Sequence, residues 1–337
     1  MTPPDTGSAS APAAPTTSSR SGDPTDTHHP TLTRPAPANT ADAARFSGSG
    51  ALTPDGRVFA VGGIDGSFQL WDISNPGVSH RIGPPIRAAD DLVESVTVSD
   101  DGRLLAVNAD DNAAHLFDIT DPHHPTPLAT LTGPTPGFIY QSVFNPNVNL
   151  LAAASNSRSG YLWDISNRTH PKLLATLDGF TDAAYSAAFS HDGHILAVGS
   201  ADDTVRLWDV THPDHPTSLG WPLTGPVGYV YSVAFNARQN ILAAGSTDNT
   251  IWLWDLTQPN QPTHLATLTG PTKGVLGVAF SPDGHTLAAG GHDRTVRLWN
   301  TDPNSAAAWI CTAVGQPITE QEWNRYIPEQ PYTPPCR

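Results

Sequence analysis

Cationic side chains are few in this chain: 17 Lys and Arg stand against 32 Asp and Glu, for a formal net charge of −15. Binding to a phosphate backbone or headgroup surface works through clustered cations that displace counterions, so nucleic acid and anionic membranes are excluded as expected partners. Cysteine is nearly missing, with Cys311 and Cys336 the two examples, both close to the C-terminal end. The body of the chain is therefore built without a disulfide framework, which fits a reducing, intracellular compartment. Apolar runs of about 18 residues are absent too, and the opening residues have neither the apolar centre nor the cationic start of a secretory signal. The expectation is a soluble, cytoplasmic protein.

What is present is enough for a large core: 38% hydrophobic residues over a length of 337. Residues 1–26, rich in Pro, Ala, Ser and Thr, lack the apolar side chains that would offset the entropy of ordering and are expected to be a disordered tail. From residue 45 a repeat takes over. LWDI (70–73), LFDI (116–119), LWDI (162–165), LWDV (207–210), LWDL (253–256) and LWNT (298–301) follow at intervals of 46, 46, 45, 46 and 45 residues. A period this long and regular indicates a row of supersecondary units. In the fourth unit AYSAAFS (184–190), HILAVGS (194–200) and TVRLWDV (204–210) are short apolar runs separated by HDG and ADD turns. Runs of this length bounded by Asp-Gly or Gly-Ser are strands. A fourth strand follows each joint, as in 127–131, 172–177 and 264–268.

These residues carry a resemblance. The Trp-Asp tetrapeptides, the SPDG turn at 281–284 and GSADDTVRLWD at 199–209 resemble the WD-repeat family of β-propellers over roughly residues 45–300. The resemblance implies an all-β fold of radial four-stranded blades around a channel, six on the count of explicit units, with seven as the runner-up. One family feature is missing. Where the family commonly has Gly-His before the innermost strand, with the His in a hydrogen-bonded polar set, this chain has TGP (132–134, 224–226, 269–271) or DGF (178–180).

Repetition separates scaffold from site, because a binding or catalytic feature is needed at one place and a blade feature at every place. By that test Asp65, Asp111, Asp202, Asp248 and Asp293, one per unit at the same turn with Ser157 in the remaining unit, are structural turn residues that accept backbone N–H groups. The recurring Trp, replaced by Phe117 in the second unit, is a packing residue. The histidines recur beside proline in the joints, without Cys or carboxylates at ligand spacing, so neither a metal site nor a cofactor is expected. No Gly-Lys-Ser/Thr phosphate loop and no nucleophile–base constellation is present, and no enzymatic activity is expected.

Differences between units are where specificity can lie. At the start of the innermost strand, one aligned position reads Gly48, Glu94, Tyr140, Tyr185, Tyr231, Leu276, and the position two residues earlier includes Phe138 and Tyr229. The resemblance places this strand entrance at the channel mouth, the usual partner-binding face of the family. Phe138, Tyr140, Tyr185, Tyr229 and Tyr231 then gather over three adjacent blades, either as a contact patch for a protein or peptide or as plugs between blades. The function expected is a non-catalytic protein- or peptide-binding scaffold, a monomeric ring. The alternatives are a sensor propeller acting in trans with an ATPase or kinase module, and a propeller enzyme or glycan-binding protein.

The two ends bear on closure. Residues 27–44 carry a joint and a rudimentary strand, Thr31 to Arg34, that could complete the last blade. Residues 45–301 are the propeller. Residues 302–337 replace the expected LATL strand with SAAAWICTAV and a capping-box helix, Thr319 with Glu322, and are expected to form a cap in which Cys311 and Cys336 could pair. This tail also resembles the closing segment of actinobacterial WD-repeat chains.

Overall fold

Each repeat unit becomes one antiparallel sheet because its apolar runs are about six residues long and each is stopped by a turn that side chains stabilise locally. The computed structural model describes residues 20–22, 32–35, 46–75 and 78–302, and among these it is all-β. Blade one comprises Phe46–Leu52, Val58–Gly63, Ser67–Asp72 and His80–Arg87. Blade two is Val93–Val98, Leu104–Ala109, Ala113–Asp118 and Thr126–Thr132; blade three is Ile139–Phe144, Leu150–Ser155, Ser159–Asp164 and Lys172–Leu177. Blade four is Ala184–Phe189, Ile195–Ser200, Val205–Asp209 and Thr217–Ser218; blade five is Val230–Phe235, Ile241–Ser246, Ile251–Asp255 and Thr263–Leu268. Blade six has three described strands, Val275–Phe280, Thr286–Gly291 and Val296–Asn300. The result is a six-blade propeller in sequential strand order, the first strand of each blade innermost. No helix among the described residues is long and apolar enough to cross a membrane.

Two sets of turns define every blade. In the second hairpin the residue after the turn Asp, or after Ser157 in blade three, adopts a left-handed conformation, at Asn112, Arg158, Asp203, Asn249 and Arg294, with Gly66 in blade one. The turn Asp holds that conformation by accepting the N–H two residues on, as Asp248 does from Thr250 at 2.9 Å and Asp293 from Thr295 at 3.0 Å. The Asp that ends the Trp-Asp pair does the same for the joint: Asp118, Asp164, Asp209 and Asp255 each accept a backbone N–H two residues on at 2.7–2.9 Å. Blade four's outer strand is cut to two residues, because Gly220-Trp221-Pro222 interrupts it before Leu223 bridges back to Val205. Trp221 is left 90% exposed.

The core lies between blades. The residue two before the Leu of the third strand, Phe68, Ala114, Val205 or Ile251, is at most 1% exposed, and that Leu is buried in blades one to five. Trp163, Trp208 and Trp254, with Phe117 standing in for Trp, fill the opposite side of the same strands. Hydrogen bonds add to this apolar packing. The buried amide of Asn145 in blade three donates to the Gly193 carbonyl of blade four at 2.8 Å, and Asn236 of blade five donates to Gly284 of blade six at 2.8 Å. Gly193 has φ +74°, and an added Cβ would sit 2.6 Å from the Asn145 amide oxygen, so only glycine fits this latch. Replacing Asn145 with Ala strands the Gly193 carbonyl and two N–H groups of its own turn. The expected loss is about 1–3 kcal/mol of stability, read as a lower urea midpoint.

Leu32–Pro35, the described part of the segment expected to close the ring, pairs antiparallel with Arg20–Gly22 as a two-stranded sheet. The helices expected after residue 302, with Cys311 and Cys336, lie outside the described residues.

Candidate functional site

The aligned position at the strand entrance owes its direction to an irregularity of the backbone. In blades two to six the innermost strand shifts register between its first and third residues, and the residue passed over is Glu94, Tyr140, Tyr185, Tyr231 and Leu276 in turn. Such a bulge rotates one side chain off the ordinary pleat. Five blades thus present the residue at the same position in the same way.

Three of these meet as a ladder of rings. Tyr140 and Tyr185 have centroids 4.7 Å apart, and Tyr185 and Tyr231 4.5 Å, tilted by 37° and 33°. Tyr229 joins from the preceding loop, 6.1 Å from Tyr185 and 6.5 Å from Tyr231, and is 45% exposed. The other three are half-buried. Burial, the Glu94 carboxyl and the neighbouring phenols hold the hydroxyls of Tyr140 and Tyr231 above the ordinary phenol range, and burial does the same for Tyr185, so all stay neutral donors. Phe138 is on this face through its backbone, its carbonyl accepting the Asn156 N–H at 3.0 Å, but among the described residues its ring makes no stacking contact with the four tyrosines. Leu276, 39% exposed, takes the same bulge position in blade six, next to the blade of Tyr231.

Glu94 extends the face with charge. Burial first, and the adjacent Asp110 carboxylate second, push its pKa up to about 7, and its charge is felt by both Tyr140 and Tyr231. Asp110 itself is raised, chiefly by burial, and one of its carboxylate oxygens is buried without a hydrogen-bond donor among the described residues. Asp110 was not legible as a site residue from the one-per-blade alignment. It reaches Glu94 because its N–H donates to the Leu92 carbonyl across the first hairpin of blade two. The signal available was that the residue preceding the turn Asp changes with every blade: Ile64, Asp110, Asn156, Ala201, Thr247, His292.

The pair makes stability depend on pH. A folded pKa near 7 against an ordinary value of 4.5 means that the unfolded chain loses this proton first as pH rises. Stability from this group is therefore complete below about pH 4.5 and lost as pH passes 7, by on the order of 1–2 kcal/mol after solvent screening. Glu94→Gln should flatten the fall in urea midpoint between pH 5 and pH 8; an unchanged slope would contradict the assignment.

The turn Asp residues are spent within their blades. One carboxylate oxygen holds its own turn; in three blades the other accepts a backbone N–H from the loop before the innermost strand: Thr181 to Asp202 at 3.1 Å, Val227 to Asp248 at 2.9 Å, Thr272 to Asp293 at 3.0 Å. This direct bond ties loop to turn where the family's histidine is missing. In blade three, Ser157 and Tyr161 do so instead, their hydroxyls 2.7 Å apart and the Tyr161 hydroxyl donating to the Thr135 carbonyl at 3.2 Å. Among the described residues no group of three or more His, Cys, Asp or Glu side chains could hold a metal ion.

A family model described as "WD domain, G-beta repeat" matches residues 48–72, 125–164, 171–209, 218–255 and 262–300, together more than half of the chain. The stretch 73–124, which carries Glu94 and Asp110, falls between the matched ranges. No curated protein matches the chain.

Proposed function

This chain belongs to the WD-repeat family, whose propellers commonly act as protein-interaction scaffolds, and on that premise we propose that it binds a protein or peptide at its channel-mouth face without catalysis. The observation that carries this reading is the continuous ladder Tyr140–Tyr185–Tyr231, flanked by the exposed Tyr229. Tyrosines concentrate binding energy because a rigid ring covers a large area at small entropic cost. The acidic edge, Glu94 with Asp110, favours a segment carrying Lys or Arg, whose cation can lie over a ring and against the carboxylates.

The test is capture of the partner by the full chain and by a variant carrying both Tyr140→Ala and Tyr231→Ala, with melting temperatures measured alongside. Loss of the partner from a folded variant is the expected result. Unchanged affinity would overturn the patch, and collapse of the fold would make the rings plugs between blades.

A further inference from the structure

Three residues of blade two depart from the repeat, and they do so together. Glu94 is the single glutamate before residue 320. Asn108 stands where the other blades have Gly62, Ala154, Gly199, Gly245 and Gly290, and Asp110 has no acidic counterpart in any of them. Repetition supplies what a blade needs, so these three serve something else. All lie in the stretch that the family model leaves unmatched.

The group they form is rich in acceptors and short of protons. The half-buried carboxyls of Glu94 and Asp110 are hydrogen-bonded to each other, which two carboxyls manage only when one of them carries a proton. One Asp110 oxygen is buried without a donor among the described residues. Asn108, fully buried on the same side of the second strand, donates its amide N–H to Ser95 Oγ at 2.8 Å, and its Oδ1 has no donor there either. The surroundings add negative charge. The loop before the strand brings Asp90 and Asp91, the following turn Asp111, and blades three to five the phenols of Tyr140, Tyr185, Tyr229 and Tyr231. Blades one and six bring Gly48 and Leu276, which do not titrate. Arg87 is held by Asp90 at 3.1 Å, and His115 by Asp111 at 2.8 Å.

We propose that binding at the channel mouth is gated by the proton this pair shares: the ammonium or guanidinium group of a partner's Lys or Arg displaces it to solvent and bonds both carboxylates. The proposal rests on the reading of this face as the binding surface. Two carboxylates beside an amide oxygen suit the N–H donors of such a group, and among the described residues no third metal-binding side chain joins them. While it keeps the proton, the pair offers an incoming cation one negative charge; once ionised, it offers two. Binding therefore tightens as pH rises. With the Glu94 proton leaving at about pH 7, the gain between pH 6 and pH 8 is about tenfold.

Because the chain has four glutamates, carbon-13 labelling of their carboxyls makes this proton visible, the Glu94 resonance being the one lost in Glu94→Gln. In the full chain that resonance should titrate near pH 7. N-acetylarginine amide should move its midpoint down by about one pH unit or more, while the neutral citrulline analogue leaves it in place. A midpoint that neither compound moves, or that both move alike, would overturn the proposal. The second measurement is capture of the partner at pH 6 and pH 8, expected to strengthen about tenfold in the unaltered chain and to stay level in Glu94→Gln. The same pH dependence in both would overturn the proton gate and leave the tyrosine ladder standing. If the double tyrosine variant instead captures the partner normally, the binding face falls, and the arginine-amide titration still decides the exchange of proton for cation.

Discussion

Replacing Tyr185 with Ala is expected to weaken capture of the partner by about 100-fold or more while the propeller stays folded. Tyr185 is the hub of the ladder, in ring contact with Tyr140, Tyr231 and Tyr229, so its removal deletes one contact and leaves the remaining rings without their common neighbour. Central aromatic residues of interfaces contribute about 2–4 kcal/mol each, and 100-fold corresponds to about 2.7 kcal/mol. The cost to the fold is smaller, because the ring is half-buried on a bulge rather than in the packed face of the blade. A fall of a few degrees in melting temperature is expected, against near-complete loss of capture in an affinity measurement. A variant that binds normally would remove Tyr185 from the contact surface.

The largest expected effect on stability comes from Phe68→Ala. Phe68 is 1% exposed at the junction of blades one and two, its ring edge-on to Phe117 at a centroid distance of 4.9 Å and enclosed by Val93, Val107 and Ile82. Truncation removes the transfer free energy of a phenyl group and opens a cavity that flanking strands of two different sheets cannot collapse to fill. A loss of about 3–5 kcal/mol follows, seen as a lower urea midpoint with little change in slope. Val148→Ala, in an exposed turn, should stay within about 0.5 kcal/mol under the same conditions. Equal effects of the two substitutions would show that the core does not lie between the blades.

The fold was legible in the sequence to the extent that it is local. The Trp-Asp spacing, the six-residue apolar runs and the turn Asp residues each act within a few residues of where they stand, and Asp248 with Thr250 forms the same turn whatever the neighbouring blades do. The missing histidine was legible as a gap, whereas its replacement was not, because Val227 meets Asp248 only after the hairpin has folded. The site was legible in part. Aligning units found Tyr140, Tyr185 and Tyr231, but the bulge that aims them is a property of pairing between two strands and leaves no mark on either alone. Asp110 escaped for the same reason. The exposure of Val296 was the least legible, since Val296 in TVRLWN is indistinguishable in pattern from Val205 in TVRLWD, and only packing among the described residues separates 74% exposure from none.

A ring whose faces and junctions are occupied by different residues can use them for different ends. The starts of the innermost strands carry aromatic and acidic groups, Tyr140, Tyr185, Tyr231 and Glu94, that change from blade to blade, and the third strand of blade six carries Val296, 74% exposed among the described residues. Amide hydrogen exchange of the full chain with and without its captured partner tests the first of these most directly. Added protection should fall on the starts of the innermost strands, at 139–141, 184–186 and 230–232, and on the loop carrying Tyr229. Protection confined to the outer strands, with those segments unchanged, would contradict binding at the channel mouth.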